Sequence, residues 1–195
     1  MKHYTYLLKE IADIRTGYSF RTKIQPDFTG NTLVVQLKEL SEKNTIDIST
    51  AVKIDMSDIS ENYLLKKGDL VFRSRGMDST AAIMNIDADN VILSAPFQRI
   101  RINTSLEIIP EYLLWYINSK EAQTYFTTNK TGTSVSMIST AVLAELPVIV
   151  PPMEIQQKII EINRLSEKEI ELQEELIKKK KLLTETVLLK SIGIN

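Results

Sequence analysis

Apolar residues recur at Ile155, Ile159, Ile162, Leu165, Leu172, Leu176, Leu183 and Val187, mostly three or four positions apart. No Gly or Pro interrupts the chain from Glu154 to about Lys190. At 3.6 residues per turn this spacing gathers the apolar positions into one stripe, which predicts a long amphipathic helix within residues 153–195. At ~1.5 Å per residue that helix would run about 50 Å. Globular helices average roughly 11–12 residues, so the stripe exceeds what the preceding domain can use and calls for a partner helix. Glu169 and Lys179 fall where strict heptads place apolar residues. Polar residues on a seam weaken the pairing and fix its register and partner choice.

Residues 1–152 have shorter periods. Leu7, Leu8, Ile11 and Ile14 predict a short helix, with Thr5 as N-cap and Gly17 just past its end. Thr32–Leu37 has the β-branched, apolar character of a strand, and Ile46–Ile54 has it weakly. Leu64–Asp69 is a turn leading into a buried strand, Leu70–Phe72, and Ala81–Ile86 and Val91–Ser94 continue the β-rich stretch. In Phe97–Ile102 the alternation puts Phe97, Arg99 and Arg101 on one face and Ile100 and Ile102 on the other, so neither face is plainly inward. Pro110 opens a helix expected from Glu111 to about Phe126, with Leu113, Leu114, Ile117 and Tyr125 on or near its inner face. A polar loop over 127–136, a short helix near Ser139–Leu146 and a buried strand at Val148–Val150 complete the order before Pro151-Pro152. Fold class is therefore α+β: a compact mixed-sheet domain over 1–152, then one long C-terminal helix over 153–195 that pairs with another helix.

Composition narrows the classes little. A 43% hydrophobic fraction supports a real core, and the absence of cysteine excludes disulfides and thiolate metal sites and fits a reducing compartment. No signal-like N-terminus and no run of roughly 18 apolar residues is present, which points to the cytoplasm. Residues 1–152 hold 16 basic and 17 acidic side chains, and residues 153–195 hold 8 of each. Global charge thus carries no nucleic-acid footprint, and any DNA contact must come from local basic loops.

Several phrases, taken in order, resemble the specificity (S) subunits of type I restriction–modification systems. They are Ile11–Gly17, Leu65-Lys66-Lys67-Gly68-Asp69-Leu70-Val71-Phe72, Pro110-Glu111-Tyr112-Leu113-Leu114-Trp115-Tyr116-Ile117 and Gly132-Thr133-Ser134. Met137-Ile138 through Leu146-Pro147 and Val150-Pro151-Pro152 with Glu154-Ile155-Gln156-Gln157-Lys158-Ile159 complete the set. Each is weak alone; together they cover nearly the whole chain. The resemblance implies one target recognition domain plus one spacer helix, where family members usually carry two of each. A half subunit is therefore expected: a natural single-domain form, a split gene product or a fragment. The resemblance further implies double-stranded DNA and modification (methyltransferase) subunits as partners, and often a restriction subunit. It implies no cofactor on this chain, S-adenosylmethionine belonging to the methyltransferase partner. A homodimer, or pairing with a second half S subunit, is expected.

Local chemistry suggests where DNA would be met. Lys130, Thr131, Gly132, Thr133 and Ser134 put a cation and hydroxyls around a glycine that lets backbone approach a phosphate; an ordinary solvated loop capping the next helix is the plain alternative. Arg73, Ser74 and Arg75 precede Gly76, and two arginines there would grip phosphates or read guanine bidentately, though arginines at strand ends are commonplace. Arg21 and Lys23 are weaker candidates. Arg99 and Arg101 are as well explained by pairing with Asp87 or Asp89. Tyr112, Trp115 and Tyr116 have the form of a stacking platform, but their helical spacing favours packing. Lys178–Lys181 alternate with Glu174, Glu175 and Glu185, which favours a solvated or subunit-facing side of the helix over a phosphate patch.

Catalysis finds little support. The one histidine is His3, and there is no P-loop, no Rossmann glycine series and no Asn/Asp-Pro-Pro-aromatic motif, since Val150 precedes Pro151-Pro152. A nuclease using carboxylates such as Asp69 or Glu107 is the enzymatic competitor, and a helical adaptor without DNA binding is the other. The favoured expectation is a non-catalytic specificity subunit that reads half of a bipartite target, the paired helices acting as a ruler for the unread spacer.

Overall fold

The computed structural model describes residues 4–41, 43–56, 59–76, 79–103, 106–131 and 137–193. They belong to two units, Met1–Gln156 and Gln157–Asn195. In the first unit β1 (Tyr4–Leu7), the single turn α1 (Leu8–Ile11) and β2 (Ala12–Thr16) follow without a break. Then come β3 (Thr32–Val35), β4 (Val52–Ile54), β5 (Leu70–Phe72), β6 (Ala81–Ile83), β7 (Val91–Leu93) and β8 (Gln98–Ile102). Helices α2 (Pro110–Asn118), α3 (Lys120–Asn129) and α4 (Thr140–Ala144) precede β9 (Pro147–Val150), and α5 runs Met153–Ser191.

The strands form three sheets: β2-β8-β5-β6, all antiparallel; β4-β3-β7, in which β3 and β7 are parallel; and the antiparallel pair β1-β9. β3 explains why its sequence is apolar at successive positions. Val35 joins a core cluster with Leu65, Val71, Met84 and Leu93, while Val34 joins a second cluster with Ile54 and Ile92. Adjacent strand residues point to opposite faces, so a strand covered on both sides loses its polar alternation.

Four expectations are corrected. The helix read from Leu7, Leu8, Ile11 and Ile14 shrinks to one turn. Thr5 pairs with Ile149 in β1, and Ala12 and Ile14 lie opposite Ile102 and Ile100. Cross-strand partners for both flanks outweigh a short helical period, and Gly17 follows a strand rather than a helix. The helix expected through Phe126 is two helices broken at Ser119. Ser119 is extended (φ −68°, ψ 158°), and its hydroxyl accepts from the Ala122 N–H at 3.4 Å as the N-cap of α3. The polar loop expected from Thr127 starts at Lys130 instead, because Thr127 and Thr128 donate to carbonyls four residues back, within α3. Val148–Val150 is not buried throughout: Val148 is, but Ile149 is 43% exposed, because the two-stranded sheet leaves one face open.

α2 buries Tyr112, Leu113, Tyr116 and Ile117. Tyr112 and Tyr116 donate their hydroxyls to the carbonyls of Ile149 (2.7 Å) and Pro147 (3.0 Å), so these rings pack and anchor β9 rather than offer a stacking platform. Burial, with the neighbouring Tyr116, pushes the Tyr112 phenol up to about 12. Asn118 completes the edge of β6, accepting from the Ala81 N–H at 2.8 Å and donating to its carbonyl at 3.0 Å. Gln156 is wholly buried and closes the first unit. Its amide accepts from the Ile109 N–H and donates to the carbonyls of Glu107 and Pro151, each at 2.9 Å.

α5 has 39 residues, about 58 Å at ~1.5 Å per residue. From Arg164 on, every described residue is exposed, including Leu165, Leu172, Leu176, Leu183 and Val187. Ile162 is exposed too, and Ile155 and Ile159 are half-buried. Among the described residues no helix is long and apolar enough to cross a membrane.

Candidate nucleic-acid interface

The loop leaving β5 begins from a fixed base. Phe72 is buried against the Phe126 ring at 5.0 Å, and the Arg73 N–H donates to the Thr80 carbonyl at 2.9 Å. Arg73 is half-buried: its Nη2 donates to the Leu40 carbonyl at 3.4 Å, and its Nε is buried without a hydrogen-bond partner among the described residues. Ser74 turns inward, 3% exposed, and its hydroxyl donates to the Pro96 carbonyl. Arg75 faces solvent.

Met137 ties this loop to the second candidate segment. It forms an isolated β-bridge with Arg75 and another with Thr131. The Thr131 N–H donates to the Met137 carbonyl at 3.1 Å, the Met137 N–H returns to Thr131 at 2.9 Å, and the Ile138 N–H donates to the Ser74 carbonyl at 2.8 Å. Arg75 and Thr131 are thereby brought beside one strand-like residue, with half-buried Lys130 adjacent. Gly132, Thr133 and Ser134 lie outside the described residues. Two segments more than fifty residues apart in sequence thus form one surface.

Arg21 and Lys23 lie elsewhere, exposed on the rim of a groove of about 650 Å³ lined also by Tyr18, Phe20, Asp55 and Met56. Tyr18 sets the base of that loop, meeting Phe20 and Tyr63 edge-on at 4.9 and 5.3 Å.

Arg99 and Arg101 do not pair with Asp87 or Asp89. Arg101 clamps Asp69 through Nε and Nη2, both at 2.7 Å, and donates to the Leu64 carbonyl at 2.9 Å. Arg99, 3% exposed, donates to Asp13 at 2.5 Å. Burial first, then the neighbouring Arg101 charge, lowers the Arg99 pKa; the hydrogen bonds that Arg101 donates to Asp69 raise its own. Asp69, 2% exposed, also accepts from the Lys66 N–H at 2.7 Å, closing the Lys66-Lys67-Gly68-Asp69 turn. Its carboxylate is committed to the fold, and exposed Glu107 engages Gln156 only through its backbone carbonyl. Among the described residues no group of three or more His, Cys, Asp and Glu is placed to hold a metal.

Two residues escaped the sequence reading. Met137 carries no polar signal, and its bridging place depends on distant pairing. Phe28 is 94% exposed between Asp27 and Thr29, and an aromatic within a Pro-Asp-x-Thr-Gly turn is a signal that was there to be used.

Residues 3–181 match the model of the type I restriction modification DNA specificity domain. No curated protein sequence matches the chain. Solved chains that share the fold include the following three. The S subunit of a type I restriction–modification system from M. genitalium is 13% identical with a TM-score of 0.59, the match covering 95% of this chain and 44% of that one. The HsdS subunit from Thermoanaerobacter tengcongensis is 19% identical with a TM-score of 0.63, covering 87% and 38%. A chain from a structural account of assembly and conformational transition in the type I R-M system is 21% identical with a TM-score of 0.73, covering 97% and 49%. This chain spans less than half the length of each. The structures establish the shared fold, and the family match, extending over most of the sequence, establishes descent: the chain belongs to the type I restriction modification DNA specificity domain family.

Proposed function

We propose that this chain is a non-catalytic, cytoplasmic specificity module whose head reads one half of a bipartite DNA target. α5 pairs with the helix of a second copy or of another half S subunit, and docks methyltransferase subunits that bring S-adenosylmethionine and, in the complete system, a restriction subunit. The observation that carries the reading is the stitching of Arg75 to Thr131, which follows Lys130, through Met137. Exposed Arg75, held by backbone pairing beside Thr131 and neighbouring Lys130, makes a surface suited to phosphate oxygens and base edges. Arg99 and Arg101, by contrast, serve the fold.

α5 supports more than one helical partner. Besides the seam through Leu165, Leu172 and Leu176, exposed Ile170 and Ile177 lie roughly 100–160° round the helix, and Leu182, Leu188, Leu189 and Ile192 widen the apolar surface near its end. One antiparallel partner covers one seam; a second apolar flank fits docking of a different subunit. The test is co-expression with candidate methyltransferase subunits, followed by sequencing of methylated genomic sites. An interrupted, two-block motif is expected. Methylation without sequence preference, or none with the subunits assembled, would refute the proposal.

A further inference from the structure

The loop carrying Arg21 and Lys23 also carries the most exposed large apolar side chain among the described residues of the head. Phe28 is 94% exposed, whereas the other exposed large apolar residues of that unit reach at most 63%. Scattered surface hydrophobics need no explanation by themselves; this one is held in place. The Asp27 carboxylate accepts from the Thr29 N–H at 2.9 Å and the Thr29 hydroxyl at 2.7 Å, and the Asp27 carbonyl accepts from the Gly30 N–H at 3.0 Å. The Asp27 N–H donates to the Lys53 carbonyl at 2.8 Å, pinning the turn to β4 just before the stretch Ile54–Met56 that lines the groove beneath Arg21 and Lys23.

Both ends of the loop are clamped by close backbone approach. A Cβ on Gly17 would fall 2.6 Å from the carbonyl oxygens of Leu93 and Ser94, and one on Gly30 would fall 2.3 Å from the Ile54 carbonyl carbon. Only glycine fits there. Between these clamps the chain presents Arg21, Thr22, Lys23 and Phe28 to solvent. A rigid turn that holds an aromatic ring out of the core, on a loop with two exposed cations, matches what duplex DNA offers: phosphates for the cations and an apolar stack of bases for the ring.

We propose that Phe28 is an aromatic wedge that stacks against a base step of the bound duplex, with Arg21 and Lys23 on the neighbouring phosphates. The inference rests on the DNA-reading proposal above and adds a residue that senses stacking and deformability rather than hydrogen-bond pattern. Unstacking is easiest at flexible pyrimidine–purine steps, so the wedge would add specificity at a step that no polar side chain touches.

The test uses the full chain assembled with its methyltransferase subunits. The probes are duplexes recovered by the wild-type complex from a randomised library, with 2-aminopurine placed in turn at each adenine. Wild type should raise 2-aminopurine fluorescence at one step. Phe28→Ala should abolish that rise and weaken binding roughly tenfold with an unchanged salt dependence, and Phe28→Trp should keep both. Arg21→Ala and Lys23→Ala should each lower the salt slope by about one while keeping the fluorescence. Phe28 is exposed, so its replacement leaves the fold intact. Equal affinity and an unaltered fluorescence pattern in Phe28→Ala would overturn the wedge and leave DNA reading standing, as would a wild-type complex that binds without any rise. Loss of the methyltransferase subunits from Phe28→Ala would overturn it in favour of a protein contact. Failure of the wild-type complex to recover any duplex would overturn both proposals.

Discussion

Ser74 and Arg75 are neighbours in opposite environments. Ser74 is buried with its hydroxyl on the Pro96 carbonyl, and Arg75 is exposed beside Met137. Replacing Ser74 with Ala removes a buried donor and leaves a carbonyl unpaired, a loss of about 1–3 kcal/mol in urea unfolding. Affinity of the assembled complex for its target should not change while the protein remains folded. Replacing Arg75 with Ala should leave unfolding within about 0.5 kcal/mol of wild type and weaken DNA binding roughly tenfold. Equal effects of the two variants on affinity would show that this loop is structural throughout. Residue types made Arg73, Ser74 and Arg75 visible as one polar group in the sequence, but not their directions. Those are set by Pro96, Leu40 and Met137, each more than twenty positions away. The same limit hid the true partners of Arg99 and Arg101: Asp87 and Asp89 are near in sequence, while Asp13 and Asp69 are near in the sheet.

Elements with their own periodicity were legible, and elements defined by partners were not. α5, with its uninterrupted stripe, and α4, with Ser139 accepting from the Val142 N–H as its N-cap, matched their patterns closely. β1 and β2 did not, because their pairing with β9 and β8 depends on residues more than eighty positions away. Gln156 is an element-scale device of the same kind. Its side chain joins Glu107, Ile109 and Pro151, so the start of α5 is anchored by an amide rather than an apolar residue. Gln156→Leu keeps the volume but strands one N–H and two carbonyls in the interior, which should cost about 2–4 kcal/mol by chemical denaturation. A neutral outcome would mean that these groups find other partners. Tyr112 gives the α2–β9 contact a pH signature. Its folded pKa, about 12, lies above the ordinary tyrosine value near 10, so the folded state favours the neutral phenol. The associated stability is fully present below pH ~10 and falls as pH rises towards 12. Tyr112→Phe should flatten that decline in alkaline unfolding, while sacrificing the hydrogen bond to Ile149 at neutral pH.

At the scale of the whole molecule, an exposed apolar seam of this length offers a surface that a second helix would bury. Leu172 and Leu176 are 53% and 51% exposed, and burying such side chains contributes roughly 1.5–3 kcal/mol each. Light scattering of the full chain is expected to show a dimer, and Leu172→Asp with Leu176→Asp a monomer. The stronger test separates pairing from measuring. Seven residues inserted into the exposed part of α5 preserve the heptad phase, so the dimer should survive. The helix should lengthen by about 10 Å, close to three base pairs of B-DNA at ~34 Å per turn. If α5 sets the distance between two reading heads, methylated sites should shift to a spacer about three base pairs longer with both sequence blocks unchanged. A two-residue insertion is the control: it turns the seam by about 200° to the opposite face and should weaken the dimer before any spacer can be read. Retention of the original spacer by an intact seven-residue variant would assign α5 to docking alone and leave the spacing to the other subunits.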